Sequence, residues 1–162
     1  MAVRYSKIAL VASVALYTTL VVFNNINDYG SNFIFVQHVL MMDTVFPNSK
    51  EAWRAIRSPI LHHAAYAAII LVEATVALLC WAGTASLLKA VRQEEALFHR
   101  SKRIAVAGLT LGFSLWFLGF MGIGGEWFLM WQSERWNAQQ AAFRIAALVG
   151  LVLLCLCIRD PE

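Results

Sequence analysis

Residues 104–132 read IAVAGLTLGFSLWFLGFMGIGGEWFLMWQ, with Glu126 the one charged residue in the run. A helix rises 1.5 Å per residue, so about 20 mostly apolar residues cross a bilayer. This stretch is long enough to do so. Three others share its character. Residues 7–25 read KIALVASVALYTTLVVFNN, and apolar runs recur at about 60–88 and 138–158. The expected architecture is an all-α membrane protein, a four-helix antiparallel transmembrane bundle in a single domain. Ser58-Pro59 suits the start of the second helix, as a serine cap followed by a proline that misses no N–H. Asn137 with Gln140 resembles a capping box at the start of the fourth.

Composition supports the same reading. Of 162 residues, 60% are hydrophobic and 14% charged, with mean hydropathy +0.63. Soluble domains have about 45–50% and about 25%. A chain this small could not hide so much apolar surface in its own core, so the lipid bilayer is its expected partner. The net charge of +3 makes no case for nucleic acid, because the basic residues sit in short loops beside apolar segments. Cys80, Cys155 and Cys157 all lie in apolar runs, which argues against a disulfide framework. No small-x-small site follows the first helix, so an uncleaved helix is expected, not a signal peptide.

Loop charge predicts orientation. Arg4 and Lys7 precede the first helix, Lys89, Arg92, Arg100, Lys102 and Arg103 separate the second and third, and Arg159 follows the fourth. These segments, and both N- and C-termini, are expected to be cytoplasmic. The outer loop 26–59 and the turn 133–137 would face the periplasm, with the chain a multi-pass protein of the bacterial inner (plasma) membrane. Within the outer loop, 31–47 is apolar but too short and polar to span. An interfacial or re-entrant element is expected there, and a short helix over 49–57.

Charge inside a membrane is costly, about 2.5–3.5 kcal/mol for Asp, Lys or Arg at the centre. Glu73, Glu126 and Arg144 are the residues concerned. Glu126 and Arg144 are each expected roughly 9–10 Å from the outer ends of consecutive antiparallel helices, so an ion pair is expected between them. Gly112, Gly119 and Glu126 recur every seven residues, which predicts one inward stripe with Gly108 a turn away. Asn137, Gln140 and Arg144 share a second face, and His62, Tyr66 and Glu73 a third. Asn24, Asn27, Asp28, His38, Asp43 and His63 stand in or near the outer loop, with Trp127, Trp131 and Trp136 at the same level. The grouping predicts a polar cavity open to the outer side and capped by 31–47. Each feature also has a plainer reading: an ion pair that sets helix register, a neutral hydrogen-bonded Glu73, interfacial histidines and an aromatic belt.

The function classes separate unevenly. A transmembrane haem or metal would draw on His38, His62 and His63, weak candidates with no HxxxH, ExxH or CxxC spacing, so the cofactor stays open. A redox protein binding haem, metal or quinone, and a small transporter or proton path, are the alternatives. Four helices without an inverted repeat make a thin transporter unless an oligomer encloses a route. No GxSxG, HExxH or aspartate dyad is present, which leans against an enzyme. The reading that demands least is an accessory or interaction subunit of a larger membrane complex, or a homo-oligomer, with a polar binding cluster on the periplasmic side.

The run Gly124-Gly125-Glu126-Trp127-Phe128-Leu129-Met130-Trp131-Gln132-Ser133 is followed by Trp136-Asn137-Ala138-Gln139 and Ala142-Phe143-Arg144. With Asn24-Asn25-Ile26-Asn27-Asp28-Tyr29 and Val39-Leu40-Met41-Met42-Asp43-Thr44, it resembles the predicted small integral membrane proteins grouped as domain-of-unknown-function family 2165. The likeness covers nearly the whole chain. It implies a four-helix bacterial inner-membrane protein and brings no catalytic residues to transfer.

Overall fold

The computed structural model describes residues 1–159. Helix accounts for 81% of the described residues, no strand occurs among them, and four helices are long and apolar enough to cross a membrane. Helix α1 is Ala2–Asn27. The chain bends at Asp28 and runs on as α2, Tyr29–Met41. Next come a single 3-10 turn at Ala52–Arg54 and the long α3, Pro59–Ala90, which starts at Ser58-Pro59 as the sequence predicts. Helix α4, Glu95–Ser101, bends at Lys102 into α5, Arg103–Ser114. Helix α6 is Gln139–Cys157.

One 3–4 spacing builds the bundle. Val76, Cys80, Gly83 and Leu87 form the buried seam of α3, and Ile8, Val11, Ala15 and Thr18 that of α1. Ala142, Ala146 and Val149 repeat the pattern on α6. Small residues let the α3 and α5 backbones nearly touch. A Cβ added at Gly83 would stand 2.6 Å from the Cα of Ala105, and one at Gly108 would stand 3.0 Å from the Cys80 sulfur. Dispersion across such a close approach does the work that water exclusion does in soluble cores.

The third span departs from the expected regular helix. Leu115–Trp127 is a π-helix, ended by Phe128 N–H donating to the Ile123 carbonyl five residues back. Each of its turns takes up more residues than the 3.6 of an α-helix. A seven-residue stripe therefore rotates away from its starting face. Gly112 still meets Val76 and Val149, but the one neighbour near a Cβ at Gly119 would be Leu115 of its own helix. Glu126 ends up exposed. The span also stops at Trp127, short of the expected 132, and Leu129 turns the chain in a left-handed conformation, φ 54°.

The start of α1 and the last described residues lie at one end of the bundle. The Lys7 ammonium donates to the Ile158 carbonyl at 2.5 Å and Lys102 reaches the same oxygen at 3.2 Å. Arg4 donates to the carbonyls of Val91 and Gln93 at 3.0 and 2.6 Å. Cations thus sit on the carbonyl ends of α6 and α3, where helix dipoles favour them. At the other end, Val36, Val39 and Leu40 of α2 pack with Tyr66, Phe128 and Met130. The segment expected to cap the bundle is this helix, folded back onto α3.

Candidate functional site

In the far half of the bundle, Glu73, Tyr66 and Asn32 converge on Asn25. This residue continues the α1 seam, two turns beyond Thr18, so its side chain points inward although it stands near the helix end. Its amide nitrogen donates to Glu73 Oε2 at 2.7 Å. Its amide oxygen accepts from Asn32 Nδ2 of α2 at 2.7 Å. Its backbone carbonyl accepts from the Tyr66 hydroxyl at 3.3 Å. Glu73 is 3% exposed and Tyr66 2%. These residues line a cavity of about 250 Å³ with Tyr17, Trp116 and Phe120. An apolar cavity of about 210 Å³ adjoins it and shares Phe35, Val36, Ile69 and Phe120 as walls, with Gly119 and Met130 beyond.

The sequence places His62, Tyr66 and Glu73 on one face of α3, and all three are buried there. His62 stands apart from the Glu73 cluster. Its Nε2 lies 2.8 Å from the Ile56 carbonyl, so this nitrogen carries the proton, while buried Nδ1 has no partner. His63 Nδ1 lies 2.9 Å from the Tyr29 hydroxyl, and its ring stacks on Phe33 at 4.1 Å. His38 Nδ1 lies 2.7 Å from Asp43 Oδ2, with its ring stacked on Trp136 at 4.6 Å. The three histidines serve different joints, and no three metal-binding side chains converge among the described residues.

The expected Glu126–Arg144 ion pair is not formed. Both side chains are exposed, and Arg144 Nε donates to the Gln140 carbonyl of its own helix at 3.3 Å. The π-helix is the physical reason. It turns Glu126 off the inward face and ends one residue later, so Glu126 lies at the end of its span and not roughly 9 Å inside it. The anticipated single cluster is therefore two sets. Glu73 and Tyr66 face inward. Arg144 and Gln140 face outward, in an open notch of about 410 Å³ completed by Met121, Gln139 and Phe143. Asn137 is exposed on the same face. Its side-chain oxygen accepts from Gln139 N–H at 3.0 Å, a local turn just ahead of α6; the N-cap is Ala138 with no side-chain cap, so the expected Asn137–Gln140 capping box does not form.

The tryptophans fasten loops. Trp127 lies under the Arg54 guanidinium at 4.5 Å, and its carbonyl accepts from Arg54 at 3.3 Å. Arg54 also pairs with Glu51 at 2.5 Å. Trp131 meets Phe46 edge-on at 5.8 Å, and Gln132 accepts from Phe46 N–H at 2.9 Å. Thr44 donates to Ser133 at 2.8 Å. The outer loop is thus tied to the 127–136 turn across the mouth of the bundle.

Sequence reasoning missed Asn25, Asn32 and Gln139 as site residues. For Asn25 the signal was available: the 8-11-15-18 seam, continued by seven, lands on 25. Asn32 lies past the bend at Asp28, where no helical period carries over.

The family model described as "Predicted small integral membrane protein (DUF2165)" matches residues 3–159. No curated protein and no solved structure matches the chain.

Proposed function

Since the chain belongs to the DUF2165 family of predicted small integral membrane proteins, we propose that it acts as an accessory subunit, docking sideways onto a larger membrane protein. The observation that carries this reading is Arg144. It stands one to two turns inside α6, exposed on the bundle's outer surface, with no carboxylate within ion-pair distance among the described residues. A lipid-facing guanidinium at that depth carries part of the insertion cost of about 2.5–3.5 kcal/mol at the bilayer centre. A carboxylate on a neighbouring helix offsets it through a charge-assisted, two-pronged hydrogen bond. Gln139, Gln140 and Phe143 shape the notch for such a helix.

In this reading the bundle sits in the bacterial inner membrane with both termini cytoplasmic. The clustering of Arg4, Lys7, Lys89, Arg92 and Lys102 at the end where α1 starts and α6 finishes supports that orientation. The docking face and the Asn25 cluster then lie toward the periplasm.

The test is gentle solubilisation of natively expressed, tagged protein, with quantitative mass spectrometry of what stays bound. A stoichiometric membrane partner is expected with wild type. It should fall at least tenfold with Arg144→Gln and be unchanged with Lys89→Gln at the opposite end. A partner-free wild-type particle, or a partner indifferent to Arg144, would overturn the reading.

A further inference from the structure

The cavity pair beneath α2 is independent of the docking face and has a chemistry of its own. One wall is polar: Asn25, Asn32, Tyr66 and Glu73. Asn25 occupies Glu73 Oε2. Among the described residues no hydrogen bond reaches the other carboxyl oxygen, and that oxygen is not sealed off. It therefore meets open space, and Glu73 lines the cavity. The adjoining space is walled almost entirely by apolar side chains and by Gly119 and Gly124. Together the two spaces reach the lower part of the range of about 300–1,000 Å³ usual for ligand sites.

We propose that this pair of cavities binds a neutral, hydroxyl-headed amphiphile. Its hydroxyl hydrogen-bonds the free Glu73 oxygen, and its apolar chain runs past Phe35 and Phe120 into the space beside Gly119. The polarity of the walls selects the class. No Lys, Arg or His lines either cavity, so a phosphate or carboxylate head would face Glu73 without a counter-charge. A plain hydrocarbon would leave the carboxyl oxygen, cut off from water, without a partner, which costs about 1–3 kcal/mol. A hydroxyl supplies the missing hydrogen bond without bringing a charge into the bundle.

The proposal is tested with purified full-length protein in nanodiscs and three probes that carry the same diazirine at mid-chain: dodecanol, dodecane and dodecylamine. Adducts are mapped by peptide mass spectrometry. Dodecanol should label the Phe35–Val36 and Leu115–Gly124 walls at least tenfold more than either other probe. Glu73→Gln keeps the side-chain shape but changes the head-group partner, and should lower the preference for dodecanol over dodecane several-fold. Gly119→Leu fills the apolar space, since the nearest atom to a Cβ there is Leu115 Cδ1 at 3.5 Å, and should abolish wall labelling by every probe. Equal labelling by alcohol and alkane in wild type would overturn the proposal without recourse to a variant. So would preference for the amine, adducts confined to lipid-facing Phe117 and Leu118, or labelling that survives Gly119→Leu in folded protein. None of these results bears on the docking role of Arg144.

Discussion

At Asn25 one amide side chain joins three helices: its own α1, α3 through Glu73 and α2 through Asn32. Replacing it with leucine would strand a buried carboxyl, at a cost of about 1–3 kcal/mol. Asn25→Leu should therefore lower unfolding stability in bicelles by that amount. Combining it with Glu73→Met should cost less than the sum of the two, because the variants share one hydrogen bond, with a coupling of about 0.5–3 kcal/mol. Simple additivity would contradict the bond. The reverse holds for Glu126 and Arg144. With no ion pair between them, Glu126→Arg and Arg144→Glu should have additive effects within about 0.5 kcal/mol, and the double exchange should rescue nothing. Recovery in the double variant would mean that the pair forms after all. At this scale the sequence showed which residues were costly to bury. It placed Glu73 on the right face of α3 but not Glu126, whose direction depends on the helix type that precedes it.

Among the elements, α3 and α5 are held by absence of side chain. Gly83→Ala places a methyl against the Ala105 backbone, which cannot step aside as a flexible side chain would. Overpacking of this kind costs about 1–3 kcal/mol. A matching loss in unfolding stability in bicelles is expected, without change of oligomeric state. Gly30→Ala on α2 is the control. Nothing lies within 4 Å of a Cβ there, so the better helix former should be neutral or stabilise by up to about 1 kcal/mol. If both glycines tolerate alanine equally, the close α3–α5 approach is wrong. The four spans were legible because about 20 apolar residues admit few other structures in lipid. The start of α3 was legible because Ser-Pro has a local cause. The π-helix was not, since Leu115–Trp127 contains no residue that demands it. With its i→i+5 pairing went the glycine stripe and the depth assigned to Glu126.

Over the whole molecule, polarity is divided by direction. The end where α1 starts and α6 finishes is stitched by cations on helix carbonyls. The other end holds a hydrogen-bonded cluster inside and, outside, a guanidinium with no carboxylate partner among the described residues. In the proposed reading, that outward charge is what a neighbouring helix pairs with. The most direct test is photocrosslinking in living cells, with a photoreactive amino acid at one exposed position at a time. Phe143, 59% exposed, flanks Arg144 in the notch, while Leu71 and Leu78, 68% and 71% exposed, face outward on α3. The account predicts one discrete protein adduct from position 143, lost when Arg144→Gln is added, and only lipid adducts from 71 and 78. Lipid adducts alone at all three positions, or a protein adduct at 143 that ignores Arg144, would contradict it.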